Sequence, residues 1–263
     1  MNILIITDLE GISGIDSVEM VSDVGTPKHR FACERLMLDL NAAVEGAIDG
    51  GADNVYVVDG HGGGGNFISE MLHPKAIQLK SALQNEKMKN NKINAIMVIG
   101  AHAMAGTING FYDHTQDSRA WYNYTVNGRK CGELAQTAIF AGAFDIPLIM
   151  VSGDEAACVE AKAFVSGVEC ALVKYGIGRN KARLVDLDKS LEEIKNSARN
   201  SMKLIDSIKP FKPLLPLNIE LTLYRTDMCD KIVEKCANVE RIDARTVRKT
   251  VTKIENYMDL LFV

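Results

Sequence analysis

Ile3-Leu4-Ile5-Ile6-Thr7-Asp8-Leu9-Glu10-Gly11-Ile12-Ser13-Gly14 is an apolar run that ends abruptly in two carboxylates. Consecutive aliphatic residues bounded by polar ones read as a buried strand. Charges directly after such a strand are expensive unless they reach a polar crevice or hold a cation. Asp8 and Glu10 are two apart, so continued extended backbone turns both side chains the same way. The pair reads as the start of a metal site whose other ligands the rest of the chain must supply.

Working outward, Leu36, Leu40, Ala43, Val44, Ala47 and Ile48 recur at helical spacing between Lys28 and Gly50, and Gly50-Gly51 closes that helix. Asn54 to Val58 is a second short apolar strand, and it runs into Asp59-Gly60-His61-Gly62-Gly63-Gly64-Gly65, a loop. A weaker element over Asn66 to Leu72 stops at His73-Pro74. Ala95 to Ile99 predicts a third buried strand, ending at Gly100-Ala101-His102. Beyond a polar loop through His114, Trp121 to Val126 alternates like a strand and turns at Asn127-Gly128. Leu134 to Phe144 reads as a helix, Pro147 to Val151 as a strand, and Asp154 as the cap of a helix to Phe164.

This alternation predicts an α/β fold, a mainly parallel sheet layered with helices, plus a smaller C-terminal α+β portion. In that portion Ser190 to Ile208 is a helix and Asn218 to Tyr224 a strand. Between them Pro210 to Pro216 reads as a linker, since it holds three of the chain's six prolines. The expected organisation is one catalytic unit over 1–263, with an α/β metal-binding portion over 1–208 and the smaller portion over 209–263.

Composition narrows the function. The 263 residues carry a net charge of −4 without a basic block, which argues against nucleic acid or an anionic membrane as partner. No apolar run approaches the ~20 residues of a membrane span. The N-terminus lacks a secretory pattern, and the six cysteines are scattered without a C-x-x-C pair. Buried thiols in a cytoplasmic protein are the expectation.

Ligands of open parallel sheets bind outside the carboxyl ends of the strands. Here the first strand ends in Asp8 and Glu10, the second in Asp59 and His61, and the third in His102. Glu133 opens a helix, where the dipole favours a carboxylate facing the same crevice. Singly, each has an ordinary reading as a loop, cap or solvated residue; jointly they point to a site. His29 and His73 have no such placement and read as surface or helix-terminal residues. Two histidines with three carboxylates exceed one tetrahedral zinc and suit two metals sharing a bridging carboxylate, with manganese or cobalt fitting the same ligands. Such a pair can polarise a carbonyl and activate water against an amide, ester or phosphate.

The glycine run has rival readings. Gly60 to Gly65 fits G-x-G-x-x-G, yet no strong helix opens there and Lys80 stands where a dinucleotide fold places its acidic residue. His61-Gly62-Gly63-Gly64 imitates an esterase oxyanion loop, but G-x-S-x-G is absent. The simplest reading is that the glycines let backbone approach a crowded site.

Taken together, these motifs resemble the DppA-type D-aminopeptidases, zinc peptidases associated with dipeptide-transport operons. Asp8-Leu9-Glu10-Gly11-Ile12-Ser13-Gly14 is similar to their opening signature, Asp59-Gly60-His61 to the second motif and Gly100-Ala101-His102-Ala103 to the third. Asp113-His114 resembles the catalytic histidine position, and Gly132-Glu133-Leu134 the segment with the last ligand. The match runs in order from residue 3 to about 165 and is weaker beyond. The resemblance implies two zinc ions per subunit: Asp8 bridging, Glu10 and His61 completing one site, His102 and Glu133 the other, and His114 catalytic. It implies an aminopeptidase acting on short peptides, D-residue peptides among them, and a ring-like homo-oligomer, a decamer. The Gly62–Gly65 run and the residues around His114 depart from the family pattern, which leaves D against L preference open. Two alternatives stand beside this reading: a dinuclear phosphoesterase or other amidohydrolase, and a nucleotide-binding or non-catalytic oligomeric protein.

Overall fold

The computed structural model describes residues 1–90 and 92–262. In chain order its elements are β1 (Asn2–Thr7), α1 (Glu19–Ser22), α2 (Pro27–Asp49), β2 (Asn54–Asp59), β3 (Ala76–Gln78), α3 (Ser81–Lys89), β4 (Ala95–Ala101), β5 (Trp121–Val126), β6 (Arg129–Lys130) and α4 (Glu133–Gly142). There follow β7 (Leu148–Asp154), α5 (Glu155–Phe164), β8 (Glu169–Gly178), β9 (Lys181–Leu184), α6 (Leu187–Ser201), β10 (Leu217–Leu223), α7 (Thr226–Lys235), β11 (Glu240–Arg241) and β12 (Thr246–Val251).

The main sheet runs β3-β2-β1-β4-β7-β8-β9. Its pairs are parallel except the β8–β9 hairpin, which the sequence reading did not anticipate. Leu4 and Ile5 point to opposite faces and are both fully buried, so helices cover the sheet on both sides. Chain order explains the layers. From β1 the chain crosses to β2 through α2, and from β4 it crosses the other way to β7 through α4; right-handed crossovers in opposite directions put these helices on opposite faces. Thr26 caps α2, with Pro27 in its first turn, and the predicted stripe from Leu36 to Ala47 is buried. Backbone contact there is close: a Cβ on Gly46 would lie 2.2 Å from the Lys195 carbonyl oxygen of α6.

The order reverses at β1, where β2 lies on one side and β4 on the other. The chain leaves β1 and β4 for crossovers of opposite direction, and that switch point sets the site at the carboxyl edge. Register aligns the site: Thr7 pairs with Asp59 of β2 and Ile99 of β4, so Asp8, His61 and His102 leave the sheet at one level. Two glycines set the spacing. A Cβ on Gly11 would fall 1.9 Å from the Ala101 carbonyl oxygen, and one on Gly100 would fall 2.2 Å from that of Asp8.

The second sheet, β11-β12-β10-β5-β6, is antiparallel and draws strands from both sides of residue 208. The segment between the sheets packs closely: Phe211 meets Phe164 edge-on at 5.6 Å, and a Cβ on Gly142 would lie 2.2 Å from its carbonyl oxygen.

Candidate metal centre

Asp8 sits at the middle of a cluster of six side chains. Its Oδ1 lies 3.0 Å from His61 Nδ1, and its Oδ2 lies 3.3 Å from His102 Nε2. Glu10 Oε2 is also 3.0 Å from His61 Nδ1, and Glu133 Oε1 is 3.5 Å from His102 Nε2. The ligand atoms fall into two triads that share Asp8: Asp8, Glu10 and His61, and Asp8, His102 and Glu133. A third grouping, Glu10, His102 and His114, overlaps both. All six residues singled out in the sequence therefore converge; His29 and His73 stay outside the cluster.

Local chemistry explains each placement. The loop after β1 keeps pairing with β4 beyond the strand, through Asp8 N–H to the Ile99 carbonyl and Gly11 N–H to the Gly100 carbonyl, both 2.8 Å. His102 directs Nδ1 to the Ala103 carbonyl at 3.0 Å, and His114 directs Nδ1 to the Tyr112 carbonyl at 2.7 Å. A carbonyl only accepts, so each Nδ1 carries a proton and each Nε2 faces the cluster. The two rings stack 3.9 Å apart at 8°. Glu133 begins α4, and its Oε1 accepts the Gln116 N–H at 2.6 Å. Tyr112 and Gln116, two residues either side of His114, both have left-handed backbone (φ 49° and 59°), conformations held by this loop's contacts.

Electrostatics at the cluster follow from crowding. Burial disfavours the Asp8 carboxylate, but the His61 hydrogen bond and the His102 and His61 imidazoles hold its carboxyl far below the usual range. Burial likewise opposes the His61 imidazolium, yet Glu10 and Asp8 push it up to about 11. His102 is raised against its burial by Glu133 and Asp8. His61 and His102 thus hold protons among the carboxylates, and a cation in their place would displace those protons. Glu10 is 2% exposed, and its Oε2 has no partner in hydrogen-bond geometry. A buried, orphaned carboxylate oxygen beside imidazole nitrogens and a second carboxylate fits a divalent metal with N and O ligands.

Asp59, at the end of β2, takes a different role: it accepts from the Asn66 N–H at 2.7 Å and from Asn66 Nδ2, closing the glycine loop. The expectation that these glycines permit close backbone approach is met at Gly60, whose Cβ would lie 2.7 Å from the Thr7 carbonyl oxygen, but not in the Gly62–Gly65 run. A Cβ at Gly62, Gly63 or Gly65 would meet nothing within 4 Å. Gly62, Gly64 and Gly65 instead have φ of 55°, 79° and 95°, so backbone conformation is what requires glycine. A 3-10 turn at Ser69–Met71, rather than an α-helix, follows the loop, so no helix N-terminus receives a pyrophosphate there.

Several residues at the site went unread in the sequence. Lys174 of β8 is fully buried, and its Nζ donates to the Glu10 carbonyl at 2.7 Å. Asp39 of α2 is fully buried and accepts from the Ser13 N–H at 2.7 Å and from the Ser13 hydroxyl. Gln116 Nε2 reaches Gln136 Oε1 at 2.9 Å and the Tyr257 hydroxyl at 3.3 Å. A lysine inside Ala171-Leu172-Val173-Lys174-Tyr175 and an aspartate beside the Leu36/Leu40 stripe were the available signals.

The chain resembles known proteins throughout. The D-aminopeptidase family model matches residues 1–263. A D-aminopeptidase of Bacillus subtilis (strain 168) is 29% identical over 218 residues, covering 81% of this chain and 78% of that protein. Among solved structures, the Zn-dependent D-aminopeptidase DppA from Bacillus subtilis, a self-compartmentalizing protease, matches with a TM-score of 0.91 at 23% identity, covering 99% and 95% of the two chains.

Proposed function

Since the chain belongs to the D-aminopeptidase family, we propose that the Asp8 cluster binds two zinc ions and removes the N-terminal residue of short peptides. The protein is a metal-dependent aminopeptidase by family. The observation that carries the site assignment is the division of Asp8, one oxygen toward His61 and the other toward His102. Asp8 would bridge, Glu10 and His61 would hold one ion, and His102 and Glu133 the other. Zinc bound there supplies Lewis acidity, polarising a carbonyl and lowering the pKa of water. His114 would be the catalytic side chain: with Nδ1 tied to Tyr112, its Nε2 faces the cluster, 3.8 Å from Glu10 and 3.9 Å from Glu133. From there it gives or takes a proton or a hydrogen bond as charge develops on the substrate. Gln116 N–H orients Glu133, and Lys174 anchors the Glu10 backbone.

D-residue peptides and a decameric ring are the substrates and the assembly this reading takes from the family resemblance, and a solved relative described as a self-compartmentalizing protease supports self-association. Among the described residues no helix is long and apolar enough to cross a membrane. With the free cysteines, that supports work in the cytoplasm, on one catalytic unit spanning 1–263. Manganese or cobalt in place of zinc would keep the same ligands. Among the described residues no Lys or Arg lines the cavity beside the cluster, which favours peptides over phosphoesters.

The test is metal analysis of the purified protein together with hydrolysis of matched D- and L-dipeptides and phosphoesters, before and after chelation. About two equivalents of zinc per subunit and chelator-sensitive dipeptide hydrolysis are expected. A fully metallated protein that cleaves phosphoesters and no dipeptide would overturn the reading.

A further inference from the structure

A cavity of about 410 Å³ opens beside Asp8, His102 and Glu133. Its floor is the sheet face at Ile6, Val58 and Val98, and its opposite wall is Leu134, Thr137 and Phe140 of α4. The C-terminal turn closes it with Tyr257 and Met258. Charge reaches the lining only at the cluster itself, through Asp8, Glu133 and His102, among the described residues. The polar groups elsewhere on the wall, such as Thr137, Gln116 and Tyr257, are neutral.

The wall is held in place. The Tyr257 hydroxyl donates to Gln136 Oε1 at 3.2 Å and accepts from Gln116 Nε2 at 3.3 Å, while its ring meets Phe140 edge-on at 5.7 Å. Gln116 also donates its backbone N–H to Glu133, so the C-terminal turn and a candidate ligand share one support. Met258 by contrast is 52% exposed at this wall, an apolar side chain that an occupant would cover.

We propose that this cavity is the specificity pocket of the site and takes an uncharged, apolar side chain of the substrate residue flanking the scissile bond. The inference rests on the peptidase reading and adds the class of side chain accepted. Hydrocarbon walls reward burial of aliphatic or aromatic groups. A lysine, arginine, aspartate or glutamate side chain entering there loses its water and finds no counter-charge that the cluster does not already use. Thr137 and Met258 set the width and the mouth.

The experiment measures kcat/KM of the zinc-loaded protein for Xaa-Gly and Gly-Xaa dipeptides of both configurations, with Xaa = Ala, Leu, Phe, Lys and Glu. At one of the two positions Leu and Phe should exceed Lys and Glu by at least about a hundredfold. Thr137→Phe, which narrows the cavity, should lower Leu and Phe turnover at that position at least about tenfold more than it lowers Ala turnover. Met258→Glu, at an exposed residue that leaves folding untouched, should raise the Lys-to-Leu ratio at the same position. Calorimetric binding of leucinamide and lysinamide reads the pocket without turnover, with leucinamide the tighter ligand and Thr137→Phe weakening it. Indifference to charge at both positions, or variants whose profiles follow the parent, would overturn the proposal. If no dipeptide is cleaved, the peptidase reading fails, and the calorimetric arm alone then decides the pocket: equal binding of the two amides refutes it.

Discussion

Replacing Lys174 by methionine tests whether the metal cluster rests on a buried charge beneath it. Lys174 is fully buried, donates to the Glu10 carbonyl at 2.7 Å, and lies 4.7 Å from the Phe111 ring centroid. Burial pulls its ammonium down to about 7, while Asp39 and Asp154, both buried, pull the other way. Methionine keeps the length and the packing but removes the donor and the charge. An orphaned buried carbonyl costs about 1–3 kcal/mol. Losing the charge that faces Asp39 and Asp154 adds about 1–2 kcal/mol for a lysine half-protonated near neutrality. Relief of the lysine's own desolvation offsets part of this, leaving a loss of about 3 kcal/mol. For a chain of this size that is a fall in melting temperature of about 6–12 °C. Thermal melts at pH 7 and zinc affinity by chelator competition are the assays, and retention should weaken at least about tenfold because Glu10 loses its backbone anchor. Lys174→Met combined with Asp39→Asn should recover a substantial part of the melting temperature, since the uncompensated anion is gone. A single variant that melts and binds zinc like the parent would refute the reasoning.

Asp8→Asn should leave close to no zinc bound, whereas Glu10→Gln should retain one of the two ions, both read by metal analysis after dialysis; equal losses would remove Asp8 from the bridging role. Glu160 is 5% exposed, and burial raises its carboxyl to about 7 although Met104 N–H donates to it at 2.7 Å. The folded carboxyl keeps a proton that the unfolded one loses near its ordinary value, so the native state binds the extra proton between these limits and stability falls as pH rises through about 4.5–7. Glu160→Gln keeps the acceptor and should flatten that slope, gaining up to about 3 kcal/mol above pH 7 in melts across the range. Gly11→Ala, whose Cβ would sit 1.9 Å from the Ala101 oxygen, should lose more than about 3 kcal/mol or fail to fold, while Gly63→Ala, with open space around it, should melt within about 2 °C of the parent.

Much of the site was readable before the fold. Hydrophobic runs locate β1, β2, β4 and β7, and in a parallel sheet the residues after them share one edge, so Asp8, Glu10, His61 and His102 could be grouped from order alone. The bridging reading of Asp8 came from family resemblance, and the two triads around it give that reading a geometry. The glycine loop misled because composition reports glycine without its reason: crowding and positive φ look alike in a sequence, and here the reason is crowding at Gly60 but φ at Gly62, Gly64 and Gly65. The β8–β9 hairpin was missed because Glu169 to Leu184 carries little periodic apolar signal.

By itself the sequence determined the buried runs and which side chains leave the carboxyl edge, because these depend on local periodicity and on parallel strands ending at one edge. Only the tertiary structure decided that β5 and β6 join strands lying after residue 208, that Lys174 and Asp39 bear on the loop after β1, and that Tyr257 walls the cavity. Tyr257 and Gln116 are 141 residues apart, and Lys174 and Glu10 are 164 apart. No local pattern encodes such pairings; they exist because burying two sheets and their helices together leaves polar groups that must find partners across the fold.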